Sequence, residues 1–224
     1  MCSDFTKEVD KDNIALITWD CLDKSMNTMT EGGLKTFQKL VLEALSDDEI
    51  KGIIITSGKA DFSGGMDLST LEGLKRNSGP NPASKIFEYI MEGHKLLRII
   101  ELGKIDDTFK SKPVAFAGGG ICAGIGTEIG LACHRRFFSR SKRSKIGLPE
   151  ILVGLFPGLG GTTRVARMMG LMGASSVLLE GKLFAGDKAK SIGLVDEVVA
   201  EEELIQKAKD WVLSASPQDL IKPW

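Results

Sequence analysis

Apolar residues recur along this chain in two distinct periods. IALITW, from Ile14 to Trp19, and the β-branched run in IKGIIITSG, from Ile50, predict strands, the second of the kind covered on both faces. Between them Leu34, Phe37, Leu40, Val41 and Leu45 fall at spacings of three and four, which predicts a helix from about Glu31 to Leu45. A second amphipathic pattern, with Ile90, Leu96, Leu97 and Ile100, predicts a long helix from Ile86 to Ile105. The polar stretch before it, GLKRNSGPNPAS from Gly73, reads as a surface loop. KPVAFAG, from Lys112, is a further buried strand that ends where glycines begin.

Beyond the glycines a helix is expected from Ile125 or Gly126 through Glu128, Ile129, Leu131 and Ala132, then a strand at RRFFS. The remainder alternates helical pieces (Thr162 to Met169, Met172 to Glu180, Asp187 to Ser191, Glu201 to Ser214) with the extended run LVDEVV. No repeat of fixed period is visible.

A chain of 224 residues buries roughly 70% of its unfolded surface, enough for one domain spanning residues 1–224. With 29 basic and 30 acidic residues the net charge is −1, so no global field selects nucleic acid or an anionic membrane as partner. Cys2, Cys21, Cys122 and Cys133 lack CxxC spacing and the two histidines, His94 and His134, are far apart in sequence, so no metal is expected. The charged N-terminus has no apolar signal region, and no run of about 20 apolar residues predicts a membrane span. A cytoplasmic protein with reduced thiols, Cys122 and Cys133 buried, is the expectation.

Six of the thirteen residues from Gly118 to Gly130 are glycine, so the backbone there turns tightly or lies against something, most simply a ligand. Two glutamates stand in such frames: Glu128 in KPVAFAGGGICAGIGTE and Glu150 in LPEILVGLFPGLGGT. A carboxylate beside exposed backbone N–H groups, matched with a second carboxylate, suits chemistry on a carbonyl compound in which one group takes a proton and the other gives one. GGGICA also fits the dinucleotide fingerprint G-x-G-x-x-A. That reading lacks the usual N-terminal placement and acidic partner and leaves LPEI and PGLGGT unexplained. The basic run Arg135, Arg136, Arg140, Lys142, Arg143 and Lys145 reads as a solvated strand and turn, since no aromatic stacking residues accompany it.

Four motifs in order carry a resemblance. Lys112 to Glu128 resembles the enoyl-CoA hydratase (crotonase) pattern KPVxAAxxGxxxGGGxE without a gap, and Leu148 to Thr162 resembles LPEIxxGxxPGxGGT. DFSGGMDL, Asp61 to Leu68, is similar to xFxAGxDL, and SMNTMT, Ser25 to Thr30, to xxLNALT. CHRRF and the ending SPQDLIKPW further resemble the hydratase part of multifunctional alpha subunits of fatty-acid oxidation complexes. The resemblance implies an α/β fold, the crotonase (ClpP-like) spiral of strand, strand, helix units over about residues 1–185, with a shortened C-terminal helical part over about 186–224. It also implies that the chain is a domain of a larger enzyme. The segment between the two glutamates is about two residues longer than the pattern, an insertion expected in a surface turn.

The implied reaction is reversible syn addition of water to trans-2-enoyl-CoA, giving 3-hydroxyacyl-CoA in fatty-acid β-oxidation. Δ3-Δ2 enoyl-CoA isomerisation and non-catalytic acyl-CoA binding are the alternatives. By position, Glu128 is the base and Glu150 the proton donor to the α-carbon, with the oxyanion held by the N–H groups of Met66 and Ile125. Ser63, Gly64, Gly65, Asp67, Gly124, Gly126, Pro157 and Gly158 form the substrate-binding loops. The helix dipole is expected to favour ionised Glu128, and the apolar neighbours Ile146, Leu148, Ile151 and Leu152 to raise the pKa of Glu150. The family usually has glycine at the position of Ile125, whose β-branched side chain forbids glycine-only dihedrals and narrows the pocket beside the thioester. No cofactor is implied beyond the coenzyme A of the substrate. The implied partners are a homo-oligomer (trimer or hexamer) or a larger fatty-acid oxidation complex.

Overall fold

A computed structural model describes residues 4–76 and 81–224. The long helix, the glycine-rich strand and the strands flanking it assemble as two sheets with helices packed around them. The larger sheet has the order β1 (Phe5–Val9), β2 (Ile14–Trp19), β3 (Gly52–Ser57), β4 (Val114–Gly118), β6 (Arg135–Ser139) and β9 (Glu197–Val199). Only β1 runs antiparallel to its neighbour. The smaller sheet joins β5 (Ile121–Ala123), β7 (Lys145–Gly147) and β8 (Leu183–Ala185). Successive segments of the chain thus place one strand in the large sheet and the next in the small one, β4 then β5, β6 then β7, before a helix returns. This is the strand, strand, helix winding expected from the resemblance.

β3 is buried on both faces, as its continuous apolar run predicts. Ile53 and Ile55 join the main core under α1 (Glu31–Ser46), α3 (Pro82–Leu102), α4 (Ile125–Ala132) and α5 (Gly161–Leu178), while Ile54 joins a smaller core. In that second core Leu204, Ala208 and Val212 of α7 (Leu204–Ser214) cover Ile14, Ala115, Ala117 and Phe137. α1 begins at a Thr30 cap, whose hydroxyl accepts the Gly33 N–H at 2.9 Å.

Several elements differ from expectation. β1 escapes the sequence pattern because only Phe5 of its residues is buried, stacked 5.1 Å from Trp19 and 4.9 Å from Phe37. The stretch read as a loop is in part helical: residues 73–76 complete α2 (Leu68–Arg76), and Pro82 opens α3 behind an Asn81 cap, while residues 77–80 lie outside the described ones. α3 stops at Leu102 because Gly103 turns left-handed, φ 63°. The two helical pieces expected around residue 170 are both found, joined as α5 across a break at Gly170, φ 71°. Strands β5, β7 and β8, three residues each, are too short to show a period.

The basic run is a strand and a largely exposed turn, as expected, with one exception: Arg136 is buried against Asp196 at 2.8 Å, while the more exposed Arg135 meets Glu197 at 2.6 Å and Arg143 meets Asp61 at 3.4 Å. His134, for which the pattern offers no role, accepts the Val114 N–H on Nδ1 at 2.9 Å and so ties the start of β4 to the start of β6; burial pushes its pKa down to about 4. Cys122 and Cys133 are buried as expected, and burial pushes both thiols up to about 12.

Phe116 is the hinge between sheet and site. Its ring lies 4.6 Å from that of Phe62, and a Cβ added at Gly130 of α4 would meet it at 3.3 Å. Phe116→Ala is expected to cost about 3–5 kcal/mol of stability, read as a lower urea midpoint with little change in m.

Candidate active site

The first glycine-dense segment works by letting three backbones meet. Gly124 has φ 58° and ψ −125°, a conformation that only glycine adopts readily. A Cβ there would stand 3.3 Å from Cα of Gly65 and 3.2 Å from Oε1 of Glu150. Gly65 is itself left-handed, φ 104°. At Gly126 a Cβ would strike Ser63 Cβ at 2.6 Å, so the start of α4 rests directly on the Ser63–Gly65 loop. The loop is held by buried Ser63, whose carbonyl accepts the Ala123 N–H at 2.9 Å and whose hydroxyl accepts the Gly65 N–H at 2.9 Å. Gly64 donates to the Asn27 carbonyl at 2.8 Å.

Met66 and Ile125 therefore flank the Gly65–Gly124 contact. Neither of their N–H groups donates to a protein acceptor among the described residues. Ile125 is the first residue of α4, where an N–H has no partner within the helix and the dipole favours negative charge. The expected conflict over Ile125 does not arise in the backbone, because the glycine-only dihedrals belong to Gly124. Asn13 is the one non-glycine residue with positive φ among the described residues. The Ile125 side chain is buried in the main core.

Asp67 stands in the same loop, but its carboxylate binds Lys24 and Ser69, which hold its pKa below the usual carboxylate range. It anchors the loop at the start of α2.

Glu128 lies within α4 and is 2% exposed. Its Oε1 accepts the N–H groups of Leu159 and Gly161, each at 2.8 Å, from the turn that Pro157 and Gly158 open. Gly161 keeps this approach close: a Cβ there would meet Glu128 Oε1 and Pro157 Cβ, both at 3.0 Å, tighter than ordinary contact. Contrary to the dipole expectation, the pKa of Glu128 is raised, since complete burial outweighs the two amide bonds and the Arg164 charge that act to lower it.

Glu150 opens a 3-10 turn, Glu150–Val153. Its pKa is pushed up to about 7, chiefly by desolvation and then by the nearby charge of Glu128. Its Oε2 is buried without a hydrogen-bond partner among the described residues. The two glutamates, 22 positions apart, thus sense each other across one site. Two of the four apolar neighbours expected around Glu150 are buried. Ile146 and Leu148 are buried, but Leu152 is 70% and Phe156 71% exposed, so an apolar strip faces outward beside Glu150.

Thr127, Leu159, Gly161 and Arg164 were not singled out by the sequence pattern. Thr127 Oγ1 donates to the carbonyl of Gly147 at 2.8 Å and lies 2.9 Å from that of Cys122, fastening α4 to the small sheet. Leu159 and Gly161 stand inside PGLGGT, yet nothing in that motif tells which amides turn inward. The described residues hold no cluster of three or more His, Cys, Asp or Glu placed to bind a metal, and no helix among them is long and apolar enough to cross a membrane.

A sequence profile described as enoyl-CoA hydratase/isomerase matches residues 10–218. The glyoxysomal fatty acid beta-oxidation multifunctional protein MFP-a of Cucumis sativus is 33% identical over 219 residues, 97% of this chain and 28% of that protein. The fatty acid oxidation complex subunit alpha of Shewanella amazonensis is 35% identical over 204 residues, 91% of this chain and 27% of that subunit. The chain spans under a third of the length of these relatives. Among solved structures, an enoyl-CoA hydratase from Geobacillus kaustophilus superposes with TM-score 0.80 at 25% identity, covering 96% of this chain and 75% of that one. DspI of Pseudomonas aeruginosa superposes at 0.77 with 26% identity, covering 97% and 83%.

Because the folded-state pKa of Glu150, about 7, lies above the 4.5 of an unperturbed glutamate, burial of this group favours folding most below pH 4.5, and that contribution is lost as pH rises through 7. Glu150→Gln should therefore melt a few degrees higher than the wild type at pH 8, with the gap closing as pH falls toward 4.5, as read by calorimetry across pH.

Proposed function

The chain belongs to the enoyl-CoA hydratase/isomerase family and has its crotonase fold, and from that premise we propose that it adds water reversibly to a trans-2-enoyl-CoA. The observation that carries the proposal is the meeting of a buried carboxylate, Glu128, and a half-buried one, Glu150, beside two amides with no protein acceptor among the described residues. Attack of water on the β-carbon moves electrons through the double bond onto the thioester oxygen. The N–H groups of Met66 and Ile125 are the donors for that developing charge.

Glu128, with one oxygen fastened by two amides, takes the proton from water as the water's oxygen bonds to the β-carbon. Glu150, which keeps its proton up to about pH 7, delivers it to the α-carbon. One proton leaves and one arrives, so the reaction balances with no group beyond coenzyme A in the substrate. The buried Oε2 of Glu150 needs a donor, which the attacking water supplies. The outward apolar strip from Ile151 to Phe156 offers a surface for an acyl chain at the same site.

The relatives named for fatty acid oxidation support β-oxidation as the setting, with this chain acting as the hydratase portion of a larger assembly. Hydration of crotonyl-CoA, followed by loss of its conjugated absorbance, tests the reading. Glu128→Gln and Glu150→Gln should each lower kcat by at least about 10²-fold. Activity should fall on the alkaline side as pH passes about 7, since the donor loses its proton there. Tight CoA binding without turnover would instead establish a non-catalytic binding domain, and migration of a Δ3 double bond without hydration an isomerase.

A further inference from the structure

We propose that Arg164 is a positioning residue for Glu128, acting through the turn that holds the Glu128 carboxylate, and that Glu101 is the buried counter-charge that keeps Arg164 in place. The proposal rests on the hydratase reading, in which Glu128 is the base. Arg164 sits in the first turn of α5 and is buried; its Nη1 donates to the Leu159 carbonyl at 3.1 Å. Leu159 is the residue whose N–H reaches Glu128 Oε1 at 2.8 Å. One peptide segment is thus gripped from behind by a guanidinium and presents its amide forward to the carboxylate.

The left-handed Gly160, φ 95°, lies between the two amides, and a Cβ there would meet Arg164 Nη1 at 2.6 Å. The turn can therefore take this shape only with a bare backbone pressed against the guanidinium. On its far side Arg164 Nε donates to Glu101 Oε2 at 2.7 Å, and Nη2 lies at the same distance from that oxygen. Glu101 is itself buried on α3, bonded also to Arg98 and, at 3.4 Å, to the Trp224 indole. Two buried charges so placed are costly unless each keeps all its partners, which makes the arrangement rigid.

The groups facing Glu128 are Arg164 from α5 and Glu150 from the 3-10 turn. Behind Arg164 stand Glu101 and Arg98 of α3, and His94 of the same helix lies against Gly160. Arg164 is the one cation among them that acts directly on Glu128, and its charge favours the ionised base. The guanidinium therefore does two things: it aims the two amides, which needs its planar fork, and it supplies charge, which a lysine could also do.

Arg164→Lys separates these roles, and Glu101→Gln with Arg164→Met removes the pair without leaving an orphan charge. In Arg164→Lys, kcat on crotonyl-CoA should drop by about 10²-fold at nearly constant KM, while the acid limb of the pH profile stays at its wild-type place. In the double variant kcat should fall as far and the limb should move to higher pH. Titration of the Glu128 carboxyl by 13C NMR, assigned with Glu128→Gln, should move the same way with no substrate present. If wild-type protein fails to hydrate any enoyl-CoA yet the Glu128 titration still follows Arg164, the hydratase reading falls and the positioning role stands. Folded variants that melt lower but keep the wild-type kcat and Glu128 titration would overturn it, leaving an ordinary buried ion pair.

Discussion

The site depends on one carboxylate that has been taken out of water and given two backbone amides in exchange. Glu128 is buried on a helix whose other residues are core, so its ionised form can exist only where the Leu159–Gly161 turn meets it. That requirement links two parts of the chain about thirty residues apart and favours bare backbone at Gly161, where a Cβ would crowd the carboxylate. The turn is built from Pro157, Gly158, Gly160 and Gly161 around one bulky residue, Leu159, whose amide reaches the oxygen while its side chain is buried in the core.

The second constraint is close approach of main chains. The loop bearing Met66 and the start of α4 bearing Ile125 touch through Gly65, Gly124 and Gly126, so two N–H groups without an acceptor among the described residues come close together. Because both donors are backbone groups held by strands and a helix, they are set before any ligand arrives, which is what stabilising a transient charge requires. The side chain of Ile125 turns into the core and leaves its amide available.

The elements legible in the residues are those with length or period: β2, β3, β4, β6, the helices that begin at Glu31 and Leu204, and the helical pieces on either side of Gly170. Elements held by few contacts were not. β1 buries one aromatic ring, α2 is amphipathic over only nine residues, and β5, β7 and β8 are defined by pairing with one another. The environment of Glu150 shows the same limit from the other side. Its apolar sequence neighbours predict enclosure by all of them, but only Ile146 and Leu148 are buried, while Leu152, in the 3-10 turn, is exposed.

What the residue order alone determined, through the four motifs that carry the family resemblance, is the class of fold and the two glutamates, because a motif is a local matter of residue type and spacing that survives without coordinates. What only the tertiary structure decided is how each glutamate behaves. The pKa of Glu128 reflects complete burial set against two amides and a guanidinium from another helix, and that of Glu150 reflects desolvation and the charge of Glu128. These are balances among groups distant in sequence, and electrostatic energy depends on distance and on exclusion of water, neither of which a linear chain contains.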